Sequence, residues 1–78
     1  MAMGTKPSMV RNWGREMRFL LDGEMELTRR LVSHVQDPEY EINIESPVGQ
    51  VLGQALVGEE VIAKAPSGDV IVKVLEIF

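Results

Sequence analysis

The sequence contains no cysteine, one histidine, one tryptophan, one tyrosine and two phenylalanines among its 78 residues. Without cysteine the chain can form neither a disulfide nor a cysteine-based zinc or iron–sulfur site. The absence fits a reducing compartment, and we expect the protein to be cytoplasmic. A chain of this length buries only about 60% of the surface that it exposes when unfolded. We therefore expect one small domain at most.

Long apolar runs are also missing. No segment approaches the roughly 20 consecutive apolar residues that cross a bilayer, and residues 1–17 lack the apolar centre of a secretory signal. We therefore expect no membrane association. We interpret residues 1–16 as a lead-in, with residues 1–8 disordered or an expression tag, and residues 17–78 as the domain. Trp13 is expected to fill one edge of the core, and an exposed contact is the alternative.

Positive charge is scarce, because 8 lysines and arginines face 12 acidic residues and the formal net charge is −4. Proteins that bind nucleic acids place clustered Lys and Arg against phosphates. The only local basic cluster comprises Arg11, Arg15, Arg18, Arg29 and Arg30, which we interpret as solvated charge. We therefore expect no direct binding of nucleic acid.

Residues that support catalysis are equally few. His34, the only histidine, precedes a predicted turn and is expected at the surface. Ser33 cannot complete a Ser–His–Asp triad with it, because adjacent strand residues point to opposite faces. The carboxylates have no spacing typical of a metal site, and the glycines from Gly49 to Gly58 lack the lysine of a phosphate loop. We predict that the protein is not an enzyme and has no catalytic residues, metal or cofactor.

The N-terminal half predicts a β-hairpin. Asp22 and Gly23 separate the apolar residues 17–21 from residues 24–33, and this dipeptide suits a two-residue turn with positive φ at both positions. Apolar residues alternate along the second arm. Arg29 interrupts that apolar face, so we expect the strand to be exposed over part of its length. Residues 41–44 predict a further short, half-buried strand.

Ser46 and Pro47 form the clearest helix start in the chain. Serine supplies an N-cap oxygen, and proline at the first helical position gives up an N–H that would have no partner. Apolar residues then follow at helical spacing, namely Val48, Val51, Leu52, Ala55 and Leu56. Gly49 and Gly53 each lower the helix propensity by about 1 kcal/mol, so the helix must depend on packing. Gly58 is the predicted left-handed stop.

The C-terminal residues predict two more strands. Residues 60–65 alternate, residues 66–69 form a turn, and residues 70–78 are nearly all apolar, which predicts a central strand buried on both faces for much of its length. The sequence thus predicts an α+β fold. We expect a small, strongly twisted antiparallel sheet of about five strands, with one short helix closing its concave face.

Short motifs recur in a characteristic order along this part of the chain. They are IESPVG at residues 44–49, VGEEV at 57–61, APSG at 65–68 and VLEI at 74–77. In this order and spacing they resemble the C-terminal domain of the Gre family of bacterial transcript-cleavage factors. The hairpin at Asp22 and the pair Asp37 and Pro38 are also similar to segments of that domain. The resemblance spans residues 17–78 and extends to regulators of nucleoside diphosphate kinase.

The resemblance implies an FKBP-like fold that binds bacterial RNA polymerase near its secondary channel. In the Gre family a separate N-terminal coiled coil with acidic, Mg²⁺-holding tip residues stimulates RNA cleavage, and residues 1–16 are too short to form one. Docking without cleavage is therefore implied. The FKBP-like fold does not imply prolyl isomerase activity here, because the few aromatic residues are scattered along the chain. The family's basic residues after the helix are replaced by the apolar segment 52–56.

Our leading hypothesis is a non-catalytic transcription-regulatory module. It would bind RNA polymerase through Ser46, Pro47, Val48 and Gly49 at an exposed strand-to-helix junction, although helix-start geometry alone also explains these residues. The alternative is an orphan or truncated interaction domain that forms a homodimer, through sheet edges or residues 9–19, or binds another protein. Binding of a small molecule or peptide on the concave sheet face has no polar side-chain cluster to support it.

Overall fold

The computed structural model describes residues 9–78, which form five strands and one helix. The elements are β1 (Glu16–Leu21), β2 (Met25–Val32), β3 (Glu41–Asn43), α1 (Pro47–Gln54), β4 (Glu60–Ala65) and β5 (Gly68–Ile77). The expectation that residues 1–8 are disordered or a tag lies outside the described residues. Among residues 9–78, no helix has the length and hydropathy needed to cross a bilayer.

The strands form a single sheet in the order β3-β2-β1-β5-β4. β1 pairs antiparallel with β2 and β5, and β4 pairs antiparallel with β5. β3 is parallel to β2, because residues 33–40 loop back along the sheet edge before the chain re-enters it. The predicted α+β fold of about five strands and one helix is confirmed, and the sheet is mixed rather than wholly antiparallel.

The first hairpin turns at Asp22 and Gly23, as predicted. Both residues have positive φ, at 51° and 71°, and the Glu24 N–H donates to the Leu21 carbonyl at 3.0 Å. Leu21 pairs with Met25, so the connection includes Glu24 and is one residue longer than expected. The Asp22 carboxylate also accepts the backbone N–H of a β5 residue at 2.9 Å, which ties the turn to the neighbouring strand.

The core lies between α1 and one face of the sheet. Its buried apolar side chains are Val10, Met17, Phe19, Leu31, Ile44, Leu52, Ala55, Ala63, Val72 and Val74. The prediction that β5 is buried on both faces is wrong. Val72 and Val74 are fully buried, but Ile71 is 44% exposed, because the helix covers only one face of the sheet.

The N-terminal edge of the core is filled by residues other than the predicted one. Trp13 is 48% exposed, whereas Val10 and Asn12 are 8% and 2% exposed. The Trp13 N–H donates to the Val10 carbonyl at 3.2 Å, in a turn that directs the indole away from the core. The expectation that Trp13 fills the core edge is therefore wrong. The domain boundary at residue 17 stays a prediction.

The helix is shorter than its apolar spacing indicated. It ends at Gln54, and Ala55 has an extended backbone with φ −74° and ψ 153°. Leu56 is consequently 54% exposed and does not continue the buried stripe. Gly58 has a positive φ of 85°, but its N–H donates to the Val74 carbonyl at 2.8 Å. It therefore serves the turn before β4 and is not the helix stop.

The two helical glycines allow close packing. A Cβ on Gly49 would lie 1.9 Å from the Asn43 carbonyl oxygen, and a Cβ on Gly53 would lie 2.7 Å from a Val10 methyl. Both distances are far below van der Waals contact. The glycines that weaken the isolated helix are thus the residues that let it lie against β3 and the N-terminal segment.

We expect Gly49→Ala to destabilise the domain by about 1–3 kcal/mol, because the new methyl must displace a backbone carbonyl. The free energy of unfolding in urea measures the effect. Gly53→Ala is the comparison: it gains the same helix propensity, but its methyl meets the Val10 side chain rather than backbone, so it should lose less stability than Gly49→Ala. Equal stability of Gly49→Ala and the wild type would contradict the close approach.

Candidate protein-binding site

The junction between β3 and α1 is a hydrogen-bonded turn. The Asn43 side-chain oxygen accepts the Glu45 N–H at 2.8 Å, and the Asn43 carbonyl accepts the Ser46 N–H at 3.0 Å. The Ser46 hydroxyl donates to the same carbonyl at 2.8 Å. Short polar side chains stabilise turns in this way, by bonding to nearby backbone. The chain therefore leaves the sheet in a single fixed direction.

The predicted N-cap is confirmed. Ser46 has an extended backbone, its hydroxyl oxygen accepts the Gly49 N–H at 3.0 Å, and Pro47 occupies the first helical position. The Ser46 carbonyl accepts the Gln50 N–H at 2.8 Å. One serine side chain thus joins the end of β3 to the first turn of α1.

The four residues proposed from the sequence as a binding site differ in exposure. Ser46, Pro47 and Val48 are partly exposed, whereas Gly49 is buried against the end of β3. The expectation that all four are exposed is therefore wrong for Gly49. Their contact with a partner stays a prediction. The Ser46 hydroxyl is already bonded within the chain. What the junction offers to a partner is therefore the apolar surface of Pro47 and Val48.

An open groove of about 330 Å³ lies beside this junction. Its lining residues are Val10, Ile44, Gly49, Gln50 and Gln54. Gly49 belongs to both the groove and the junction, so the two lie next to each other. From here we call Ser46, Pro47, Val48 and Gly49, together with this groove, the docking surface.

Sequence reasoning did not find the groove. Val10 and Ile44 lie far apart in the chain and meet only after folding, and Gln50 and Gln54 look like ordinary exposed helical residues. The spacing of Gly49, Gln50 and Gln54 on one helix face was the only available signal, and it carries no chemistry by itself.

Among residues 9–78, those that line the groove are apolar residues, a glycine and two glutamines, and none of them is titratable. The amide nitrogens of Gln50 and Gln54 donate to the backbone carbonyls of Glu45 and Met9, both at 3.1 Å. Across residues 9–78 no group of three or more His, Asp or Glu side chains could hold a metal ion. His34 is exposed, as expected.

Four arginines of the basic cluster, Arg15, Arg18, Arg29 and Arg30, make hydrogen bonds within the chain. Arg18 forms ion pairs with Glu26 and Glu76. Its hydrogen bonds to these carboxylates raise the pKa of Arg18, and the bond to Glu26 is the larger cause. Arg30 donates to the Gly14 carbonyl at 2.7 Å. Arginines that are engaged in this way are less available to phosphates, and they are structural contacts rather than the purely solvated charge that the sequence suggested.

We expect Ser46→Ala to lower the free energy of unfolding by about 1 kcal/mol, because it removes the N-cap oxygen. Urea unfolding followed by circular dichroism measures the loss. Ser67→Ala, in the exposed turn between β4 and β5, is the control and should be neutral. If the two variants lose the same amount, the Ser46 hydroxyl does not join β3 to α1 as described.

Solved structures provide similar folds. GreA factor homolog 1 (Gfh1) of Thermus thermophilus is 27% identical with a TM-score of 0.65, over 88% of this chain and 48% of that one. A GreA/GreB elongation factor from Nitrosomonas europaea is 26% identical with a TM-score of 0.64, over 94% of this chain and 63% of that one. Thermus aquaticus Gfh1, at 23% identity with a TM-score of 0.67 over 88% of this chain and 48% of that one, shows the same fold.

The chain spans about half the length of the two Gfh1 proteins. No curated protein sequence matches it significantly. Residues 16–78 match the protein-family model described as "Transcription elongation factor, GreA/GreB, C-term". That match covers most of the chain and includes β1 to β5 and α1. The chain therefore belongs to the GreA/GreB transcription elongation factor family, in which it corresponds to the C-terminal domain.

Proposed function

We propose that this chain is a non-catalytic transcription-regulatory domain that binds bacterial RNA polymerase near its secondary channel. Membership of the GreA/GreB family supports a role in transcription elongation. Within residues 9–78 the groove is lined by apolar residues, a glycine and two glutamines, a lining that could contact a protein partner. Binding to polymerase would also place the protein in the cytoplasm.

The observation that carries this proposal is the fixed strand-to-helix junction. Ser46 bonds to Asn43 and Gly49, so Pro47 and Val48 are presented in one orientation before any partner arrives. A preorganised surface loses less conformational entropy on binding than a mobile one. A few anchors of this kind, seated next to a groove, can dominate the affinity of a small interface.

Retention on immobilised core RNA polymerase tests the docking directly. We expect the wild type to bind at micromolar concentration and to compete with full-length GreA for the same polymerase. If the wild type is not retained at micromolar concentration, polymerase docking is wrong. Retention without competition would place the contact away from the secondary channel.

We expect Pro47→Ala to weaken polymerase binding at least about fivefold, a typical loss for an interface anchor. Pro66→Ala, in the exposed β4–β5 turn, is the matched control and should bind like the wild type. Titration of both variants against core polymerase measures the difference. Equal affinities for Pro47→Ala and Pro66→Ala would show that the docking surface is elsewhere.

The sheet edge at β4 favours a second candidate, self-association. Within residues 9–78, β4 pairs with β5 alone, and Ile62 on its outer face is 56% exposed. If two copies paired antiparallel about Ile62, Glu60 of each copy would face Lys64 of the other. Unpaired edges with complementary side chains are known routes to dimers.

Sedimentation at two protein concentrations tests this alternative. A dimer should dissociate in Lys64→Glu, because like charges would then face each other, and re-form in the double variant Glu60→Lys/Lys64→Glu. A wild type that sediments as a monomer at both concentrations would rule out the β4 dimer.

A further inference from the structure

Residues 9–15 form a strap that crosses from the end of α1 to the sheet. At one end the Gln54 side chain donates to the Met9 carbonyl at 3.1 Å. At the other end the Gly14 N–H donates to the Leu31 carbonyl of β2 at 2.7 Å. The strap is therefore fixed to the helix and to a strand on either side of Asn12.

Asn12 is the most buried residue of the strap, at 2% exposure. Its side-chain amide donates to the Leu52 carbonyl at 2.7 Å and to the Ala55 carbonyl at 2.9 Å. Its backbone N–H donates to the Gly53 carbonyl at 2.9 Å. One residue thus donates to three backbone carbonyls, those of Leu52, Gly53 and Ala55, at the carboxyl end of α1.

The helix has few other means of support at this end. It is eight residues long, has no basic residue in its last turn and ends in an extended Ala55 rather than a left-handed glycine. Isolated helices shorter than about 12–15 residues are marginal in water, and the last four carbonyls of any helix need partners from outside it. The Ala55 N–H donates to the Leu52 carbonyl at 3.3 Å, and Asn12 supplies further partners at this end.

The strap also forms part of the docking surface. Val10 lines the groove together with Gly49, and it packs so close to Gly53 that a Cβ there would lie 2.7 Å from its methyl. Asn12 lies two residues further along and holds the strap in place. Asn12 is therefore one attachment that the groove wall and the helix carrying Pro47 have in common.

We propose that Asn12 is a positioning residue for the docking surface. Its three hydrogen bonds fix the carboxyl end of α1 and the Val10 wall of the groove, and so set the orientation in which Pro47 and Val48 meet a partner. This inference rests on the proposed polymerase docking. It assigns a determinant of that binding to residue 12, which lies more than thirty positions before the junction in the sequence.

Amide hydrogen exchange of the free protein tests the first step. We expect Asn12→Ala to speed exchange of the amides in α1 about ten- to a hundredfold, because buried carbonyls lose their donors. Amides of β1 and β5 should change less. Arg11→Ala, at the exposed neighbouring position, is the control and should match the wild type. Equal changes throughout the sheet and the helix would overturn the proposal, since Asn12 would then act on global stability alone.

Titration against core polymerase tests the second step. We expect Asn12→Ala to bind at least about fivefold more weakly than Arg11→Ala. If α1 exchanges faster but the affinity is unchanged, Asn12 does not position the docking surface. If the wild type itself fails to bind, the proposed function falls and this inference with it, while the exchange result still reports separately whether Asn12 holds the helix.

The pH dependence of amide exchange in Asn12→Asp distinguishes the loss of hydrogen-bond donors from the loss of side-chain volume. Asn12→Asp keeps the shape but places a carboxylate against the Leu52 and Ala55 carbonyls, so the pKa of this side chain should be raised. At low pH the protonated acid can donate one hydrogen bond, so the α1 amides should exchange more slowly in Asn12→Asp than in Asn12→Ala. This protection should be lost as pH rises through the pKa of the new carboxyl group. This variant also serves if Asn12→Ala does not fold. A flat difference across pH 3 to 8 would contradict the role of the donors.

Discussion

The contact between Gly49 and the Asn43 carbonyl is the constraint on which the rest of the structure depends. Only a residue without a Cβ allows the first turn of α1 to lie this close to the end of β3, since a Cβ would be 1.9 Å from the carbonyl oxygen. The same carbonyl accepts both the N–H and the hydroxyl of Ser46. From this point the helix can cross the sheet and bury Leu52 and Ala55 in the core.

An eight-residue helix with two glycines is not stable by itself. Here it is held by segments from both sides, with Ser46 and Asn43 at its amino end and Asn12 at its carboxyl end. Tertiary contacts thus replace intrinsic helix propensity. The consequence for function is that the partly exposed apolar surface at Pro47 and Val48 has a fixed orientation, which suits a domain whose proposed role is to bind a larger protein.

Local signals were predictable from the sequence, and distant contacts were not. The turn at Asp22 and Gly23 and the cap at Ser46 follow from residues within four positions of each other, and both are confirmed. The parallel pairing of β3 and the burial of Asn12 depend on residues that meet only after folding. For the same reason the sequence predicted the strand-to-helix junction but neither the burial of Gly49 nor the groove beside it. Apolar character alone misassigned Trp13, Leu56 and Ile71, because it does not show which face the helix covers.

Amide hydrogen exchange of α1 in the free wild-type protein tests the central claim most directly. If the helix is held at both ends before any partner binds, its amides from Gln50 to Gln54 should be protected to within about tenfold of those in β1, as parts of one cooperative unit. Exchange of these amides at the rate of an unstructured peptide would contradict the account, because the docking surface would then form only on binding.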